Sequence, residues 1–331
     1  MEIPRIDIGP FLTGEPKGRK QVIREWAHAF ETVGFATITG HGVPEKLASD
    51  VHKAAQSFFA LPLKKKQNYK IPGEAQGQGY LDFAVESLAR TLGDEAPDAL
   101  PDLNEQITFT YIDWEQRGIL NDFDASIFRP NVWPDSPPGF ADLLVTYFYR
   151  VYALGQDLMR IGALALDLPE DYFGPSYNRM TTQLRLTNYP DQEAPPKPGQ
   201  LRAGAHTDYL GFTILRQDDA PGGLQVRRED GGWIDVAPVP GGFVINAGDL
   251  LSRWTNNRWK SNVHRVVNPP RELIGSSQRT SVVLFTGPNH DSIIKCLPTC
   301  QSEENLPRYE TVRAWEHFME KMRASMSAVT Q

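Results

Sequence analysis

Gly204-Ala205-His206-Thr207-Asp208-Tyr209 sets an imidazole and a carboxylate two residues apart. On an extended backbone side chains alternate with period two, so both point to one face and can meet a single ion. A third ligand must come from another strand. Lys260-Ser261-Asn262-Val263-His264-Arg265-Val266-Val267 supplies one, 58 residues after His206. Two imidazoles and one carboxylate on one face of an ion leave the opposite face open, which suits Fe(II) holding O₂ and a substrate carboxylate together. On composition and spacing alone zinc competes with iron. A hydrogen-bonded core or surface histidine is the plain alternative for either ring. The segments around the motif separate these readings.

Downstream of Tyr172 the apolar period is close to two. Short strands are expected over 183–189, 212–216, 223–227, 233–236, 243–246, 262–267, 280–285 and 292–297, divided by Gly, Pro and Asp turns. No long helices intervene, which argues against a doubly wound sheet and for a β-sandwich or jelly roll over 180–300. Upstream, residues 136–170 form the best helix. Phe140, Leu144, Tyr147, Val151, Leu154, Leu158, Ile161 and Leu168 recur at three- and four-residue steps, and that face must bury against something large. Residues 1–135 read as helical and irregular. Helices are expected over 19–33, stopped at Gly34, and after Pro44, with a short strand at 35–38 between them. Residues 70–80 read as a loop, and 93–135 as an irregular segment suited to a lid. Residues 190–200 read as an exposed linker, and 308–325 as a closing helix with Val312, Trp315, Met319 and Met322 on one face. The whole, 1–331, reads as a single catalytic unit that is mainly β with supporting helices.

The chain has 331 residues, 40% hydrophobic and 23% charged, with a formal charge of −7. Lys and Arg form no dense tract, so a nucleic-acid partner is not expected. No apolar run approaches the roughly 20 residues that span a bilayer, so no membrane partner is expected either. Two cysteines, Cys296 and Cys300, are too few for a four-thiolate zinc site or a disulfide framework and read as ordinary thiols. The reading is cytoplasmic, with a monomer favoured.

One strand face also carries Arg279 and Ser281. A planar guanidinium fork and a hydroxyl could anchor the far end of a dicarboxylate whose near end chelates the metal. Taken alone, an arginine satisfied by surface acids is the simpler account. In combination the motifs resemble the isopenicillin-N-synthase-like branch of the 2-oxoglutarate and Fe(II)-dependent oxygenases, along nearly the whole chain. The resemblance rests on Ile3 to Asp7, on Gly34 to Val43, on Gly79-Tyr80 and on Leu184 to Pro190. It rests further on His206-Thr207-Asp208, Asn246 to Asp249, His264-Arg265-Val266, Arg279 with Ser281, and the approach to the C-terminal helix through Glu303 and Tyr309.

That resemblance implies a distorted jelly roll, a double-stranded β-helix, with iron at its mouth on His206, Asp208 and His264. Arg279, Ser281, Tyr189 and Thr187 would hold 2-oxoglutarate. It implies oxidation of an unactivated C–H bond of a small organic metabolite with O₂, giving succinate and CO₂. Hydroxylation is the default outcome, and desaturation or ring closure are variants. Two other readings stay open here: an iron oxidase of the same fold that omits 2-oxoglutarate, and a non-enzymatic metal or small-ligand binding protein. The chain departs from the family pattern in three places. Thr187 stands where Asn is frequent, 15 residues separate His264 from Arg279, and 103–110 lacks the usual pocket-wall element. Phe11, Tyr80, Phe83, Tyr209 and Phe212 are the candidate substrate-pocket residues. Phe109, Tyr111 and Trp114 are further candidates for the mouth, with Arg90, Arg117 and Arg253 available to an acidic group. An amino-acid-derived or secondary metabolite is the favoured substrate, ahead of a terpenoid or other apolar scaffold.

Overall fold

The computed structural model describes residues 2–71, 77–96, 99–118, 121–192, 194–273 and 275–326. Among these, eight strands form one sheet. Its spatial order is Arg5–Asp7, Phe35–Thr39, Phe243–Ala247, Phe212–Gln217, Arg279–Gly287, Thr181–Tyr189, Glu105–Thr110 and Gly79–Leu81. A smaller sheet of Ala203–His206, His264–Val266, Leu224–Arg227 and Trp233–Asp235 faces it. The two sheets close on Val33, Phe35, Leu224, Val226, Val236 and Val244, an apolar plug at one end of the sandwich. The other end is open and polar. This is a double-stranded β-helix.

Strand alternation divides inside from outside. In Thr181–Tyr189, Leu184 and Leu186 face the helical core, whereas Gln183, Arg185, Thr187 and Tyr189 border the interior. In Arg279–Gly287, Val282 and Leu284 pack outward while Arg279, Ser281, Val283 and Phe285 turn in. Both strands are buried at nearly every position because helices cover their outer face.

That cover is the helix Phe140–Ala165, with Pro16–Thr32 and Glu45–Phe59 packed against it. Its buried face of Phe140, Leu144, Tyr147, Val151, Leu158 and Ile161 follows the expected spacing. The helix starts at Phe140, four residues later than the sequence suggested, and Leu168 lies beyond its end. Gly162 permits a close approach, since a Cβ there would lie 2.8 Å from the Trp259 ring. Trp259 packs in turn on Phe30 and Phe212, 5.6 Å between centroids in each case, and Trp26 completes the group.

Two expectations change. The stretch 93–135, read as irregular, contains the fully buried strand Glu105–Thr110, paired along its length with Thr181–Tyr189. The C-terminal helix is Ala314–Met326, starting later than expected because Val312 lies in a short strand before it; Met322 is buried, Trp315 and Met319 pack half-buried on the core, and Ala314, His317 and Phe318 are buried beside them. The centre of the expected 70–80 loop, residues 72–76, lies outside the described residues. No helix among the described residues is long and apolar enough to cross a membrane. Cys296 and Cys300 are free thiols.

Phe212 is fully buried between the sheet and these helices. Phe212→Ala should therefore destabilise folding by roughly 3–5 kcal/mol, read by denaturant titration, while the folded variant keeps its metal affinity. A stable Phe212→Ala protein with altered ligand binding would contradict this placement.

Candidate metal centre and its cavity

His206 and His264 are direct cross-strand partners in the smaller sheet. Asp208 follows two residues after the end of the His206 strand, and its side chain returns to the same face. Its Oδ1 lies 3.8 Å from His206 Nε2 and 3.7 Å from His264 Nε2. One ligand atom from each of the three residues falls within 4.8 Å of the others, and all three are buried.

Neighbouring groups prepare each side chain. His206 Nδ1 lies 2.7 Å from the Gly204 carbonyl oxygen, and His264 Nδ1 lies 3.1 Å from that of Asn262. A carbonyl only accepts, so each Nδ1 carries the proton and each Nε2 presents its lone pair to the site. Asp208 Oδ2 accepts from Asn246 Nδ2 at 2.6 Å and from the Thr213 hydroxyl. Oδ1 remains for the ion. Burial and the neighbouring His264 push the His206 pKa down to about 4, so the ring is neutral near pH 7. Burial works against ionisation of Asp208, yet the two imidazoles and the hydrogen bonds from Asn246 and Thr213 hold its carboxyl below the usual range. Two imidazoles, one carboxylate and an open face are a donor set that fits Fe(II).

The residues expected to form the clamp, Thr187, Tyr189, Arg279 and Ser281, border the same cavity. Arg279 pairs in register with Tyr189, and Ser281 with Thr187, so four side chains from two neighbouring strands share one inner face. The Arg279 guanidinium is buried. Its Nη2 donates to Gln217 Oε1 at 2.9 Å, and Nη1 lies 3.3 Å from Asp218 Oδ1. Its Nε is buried without a hydrogen-bond partner, a donor that a bound carboxylate could satisfy. A cavity of about 690 Å³ is lined by His206, Asp208, His264, Thr187, Tyr189, Arg279 and Ser281 together.

The protein's resemblance to known sequences agrees with this geometry. Residues 181–288 match the 2OG-Fe(II) oxygenase superfamily model, and residues 3–136 match the model of the non-haem dioxygenase in morphine synthesis N-terminal region. A 2-oxoglutarate-Fe(II) type oxidoreductase of Emericella nidulans, hxnY, is 32% identical over 93% of this chain and 86% of its own length. The chain belongs to the 2-oxoglutarate and Fe(II)-dependent oxygenases. Fe(II) is thus this oxygenase's metal, and 2-oxoglutarate and O₂ are its co-substrates. A homoarginine-6-hydroxylase of Oryza sativa subsp. japonica is 32% identical, covering 97% of this chain and 96% of the relative. Among solved structures, a full-length Neurospora crassa protein in complex with alpha-KG and thymine superimposes with a TM-score of 0.84 at 31% identity, covering 97% of this chain and 96% of the Neurospora chain.

A second part of the oxygenase's interior, about 550 Å³, opens beside His206 and Asp208. Its walls include Gln183, Arg185, Leu210, Phe285 and Phe318. Of the five aromatic candidates for the substrate pocket, Tyr209 alone borders it. The other four placements are corrected. Phe11 is core, covered by the Arg19 guanidinium 4.2 Å from its ring centroid. Tyr80 is core with its hydroxyl bonded to Glu105, Phe212 packs on the helices, and Phe83 is exposed. Phe109, Tyr111 and Trp114 are buried in stacked pairs, Phe109 on Trp133 and Tyr111 on Trp114. Arg117 pairs with Asp113, and Arg253 donates to the Glu310 carbonyl. The arginine beside the metal is Arg185. Strand periodicity could have found it, because Arg185 is two residues from Thr187 and four from Tyr189 on the same face.

Asn246→Ala removes one of two hydrogen bonds that fix Asp208. Iron affinity should fall roughly 10–100-fold, measured by competition with a chelator. An unchanged affinity would show that Asp208 needs no such support.

Proposed function

We propose that His206, Asp208 and His264 are the iron ligands and that Arg279, Ser281, Tyr189 and Thr187 receive the distal carboxylate of 2-oxoglutarate. The reaction is hydroxylation of a C–H bond in a small, polar, nitrogen-containing metabolite, carried out in the cytoplasm. The observation that carries this reading is the cavity that His206, Asp208 and His264 line together with Arg279, whose Nε lacks a partner among the described residues. The substrate class is supported by the relatives, a homoarginine hydroxylase and a Neurospora crassa protein solved with thymine, and by the modest, partly polar space beside the metal.

Bound iron with 2-oxoglutarate and O₂ supplies an oxidant able to break a C–H bond, with succinate and CO₂ as co-products. The side chains do the rest. The Nδ1 hydrogen bonds keep both imidazoles turned inward. Thr213 and Asn246 hold one carboxylate oxygen away from the ion, so Asp208 offers the other. Arg279 supplies charge and a planar donor set at the far end of the cavity, which sets the length of dicarboxylate accepted. Thr187 occupies its place in the clamp through pairing with Ser281 and Gln106.

Arg279→Lys keeps the charge and loses the fork. The apparent affinity for 2-oxoglutarate should fall at least ~10-fold, about 1.4 kcal/mol, with succinate still formed at high co-substrate. An unchanged 2-oxoglutarate titration would remove Arg279 from the site.

A further inference from the structure

The carbonyl that accepts the His206 Nδ1–H belongs to Gly204, a residue with no side chain to hold it. Glycine has the least restricted φ and ψ of any residue, so the direction of that carbonyl must be set from outside. The strand Ala203–His206 is also an edge of the smaller sheet, with His264–Val266 beside it. Two pieces of chain cover its other side, Glu86 to Ala89 and Asp102 to Asn104. A Cβ at position 204 would lie 2.8 Å from Ala89 Cβ, so glycine is what admits this approach. Leu103 N–H donates to the Leu201 carbonyl at 3.0 Å, and Asn104 Nδ2 to that of Arg202 at 2.8 Å.

Asp102 stands where these pieces meet. It is buried, and both carboxyl oxygens accept backbone N–H groups, Oδ1 from Gly204 at 2.8 Å and Oδ2 from Leu88 at 3.0 Å. Leu88 borders both parts of the cavity. Resting on the reading of His206 as an iron ligand, we propose that Asp102 is a positioning residue for the oxygenase: through Gly204 it fixes the tilt of the His206 ring at the metal, braced against the cavity wall at Leu88.

The link is short and continuous. Asp102 Oδ1 pins the Gly204 N–H, the Ala89 contact limits rotation, and the Gly204 carbonyl is left facing Nδ1 at 2.7 Å. Without the carboxyl group the Gly204 N–H is buried with no acceptor, and the strand edge must turn or admit water to satisfy it. The ring then samples tilts in which Nε2 points away from the ion. His264 is an internal reference. Its Nδ1 rests on Asn262, whose side chain is held by the Val33 carbonyl at 3.2 Å, at the plugged end of the sandwich. The wall segment has attachments besides the Asp102 side chain. Ser87 N–H donates to the Ser325 carbonyl, Ser87 Oγ to that of Leu100, and Asp102 N–H to that of Glu86.

The imidazole N–H signals of the full chain loaded with Zn(II), read by ¹H–¹⁵N NMR and assigned with His206→Gln and His264→Gln, report the two Nδ1–H bonds separately. Asp102→Ala should shift or broaden the His206 signal and move that of His264 less. Its Fe(II) affinity, measured by chelator competition, should fall at least about fivefold, short of the roughly 10–100-fold loss expected for a group bonded directly to a ligand. Its 2-oxoglutarate affinity in the Ni(II)-loaded protein should stay within about threefold. Asp102→Asn keeps the shape and one acceptor oxygen and should fall between; it carries the same comparison if Asp102→Ala does not fold. Ser87→Ala loosens the same wall segment without touching Gly204, and should leave both signals and the iron affinity as in the wild type. Folded Asp102 variants with the His206 signal in place and wild-type iron affinity would overturn the proposal. So would an equal His206 shift in Ser87→Ala, which would make Asp102 a general support of the wall. Fe(II) binding by His206→Gln as tight as in the wild type would instead overturn the ligand reading, and the proposal with it.

Discussion

Asp208 is a buried carboxylate with one oxygen engaged by Asn246 and Thr213 and the other aimed at two imidazoles. A charge withdrawn from water in this way is costly unless a cation completes it. The His206 ring does not serve as that cation near pH 7, because burial and the neighbouring His264 push its pKa down to about 4. The Fe(II) that this family of oxygenases carries would complete it. Much of the sandwich exists to bring its parts together: His206 and His264 from adjacent strands of the smaller sheet, Thr213 and Asn246 from adjacent strands of the larger one.

The same period-two rule that joins His206 to Asp208 organises the wall opposite. Two central strands of the large sheet carry apolar residues outward to the helices and mostly polar residues inward to the cavity. Leu184 and Leu186 alternate with Gln183, Arg185, Thr187 and Tyr189 on one strand, and Val282 and Leu284 with Arg279, Ser281 and Phe285 on its neighbour. The helix Phe140–Ala165 buries the outward row, which leaves the strands little freedom to shift register. The inner side chains are thus held in place by contacts on the far side of the sheet, through Trp26, Phe30, Phe212 and Trp259.

The long supporting helix was legible from spacing along the chain, whereas the candidate metal and clamp residues needed the family resemblance beside their spacing. His206 and Asp208 sit two apart, Arg279 and Ser281 likewise, and the helix repeats through seven of the expected apolar positions, Phe140 to Ile161. What stayed hidden depends on which neighbour a strand finds. Glu105–Thr110 has only Ile107 and Phe109 on its apolar face, because Gln106 and Thr108 turn toward a polar cavity, so it carries too little hydrophobic signal to read as a strand. Phe212 lies close in sequence to the metal motif yet faces the opposite side of its strand, toward the helices. Phe11 is an aromatic at the start of the chain that serves the core. Proximity in sequence suggested a pocket that alternation and packing then assigned elsewhere.

The most direct test of the account is anaerobic titration of the metal-free protein with Fe(II) in the presence of 2-oxoglutarate, followed by the visible charge-transfer band of the chelate. The wild type should saturate at one equivalent of iron with the band present. His264→Ala, with its fold verified by circular dichroism and thermal melting, should show no such band at the same concentrations. A folded His264→Ala protein that takes up one equivalent of iron and develops the same band would contradict the assignment of the centre.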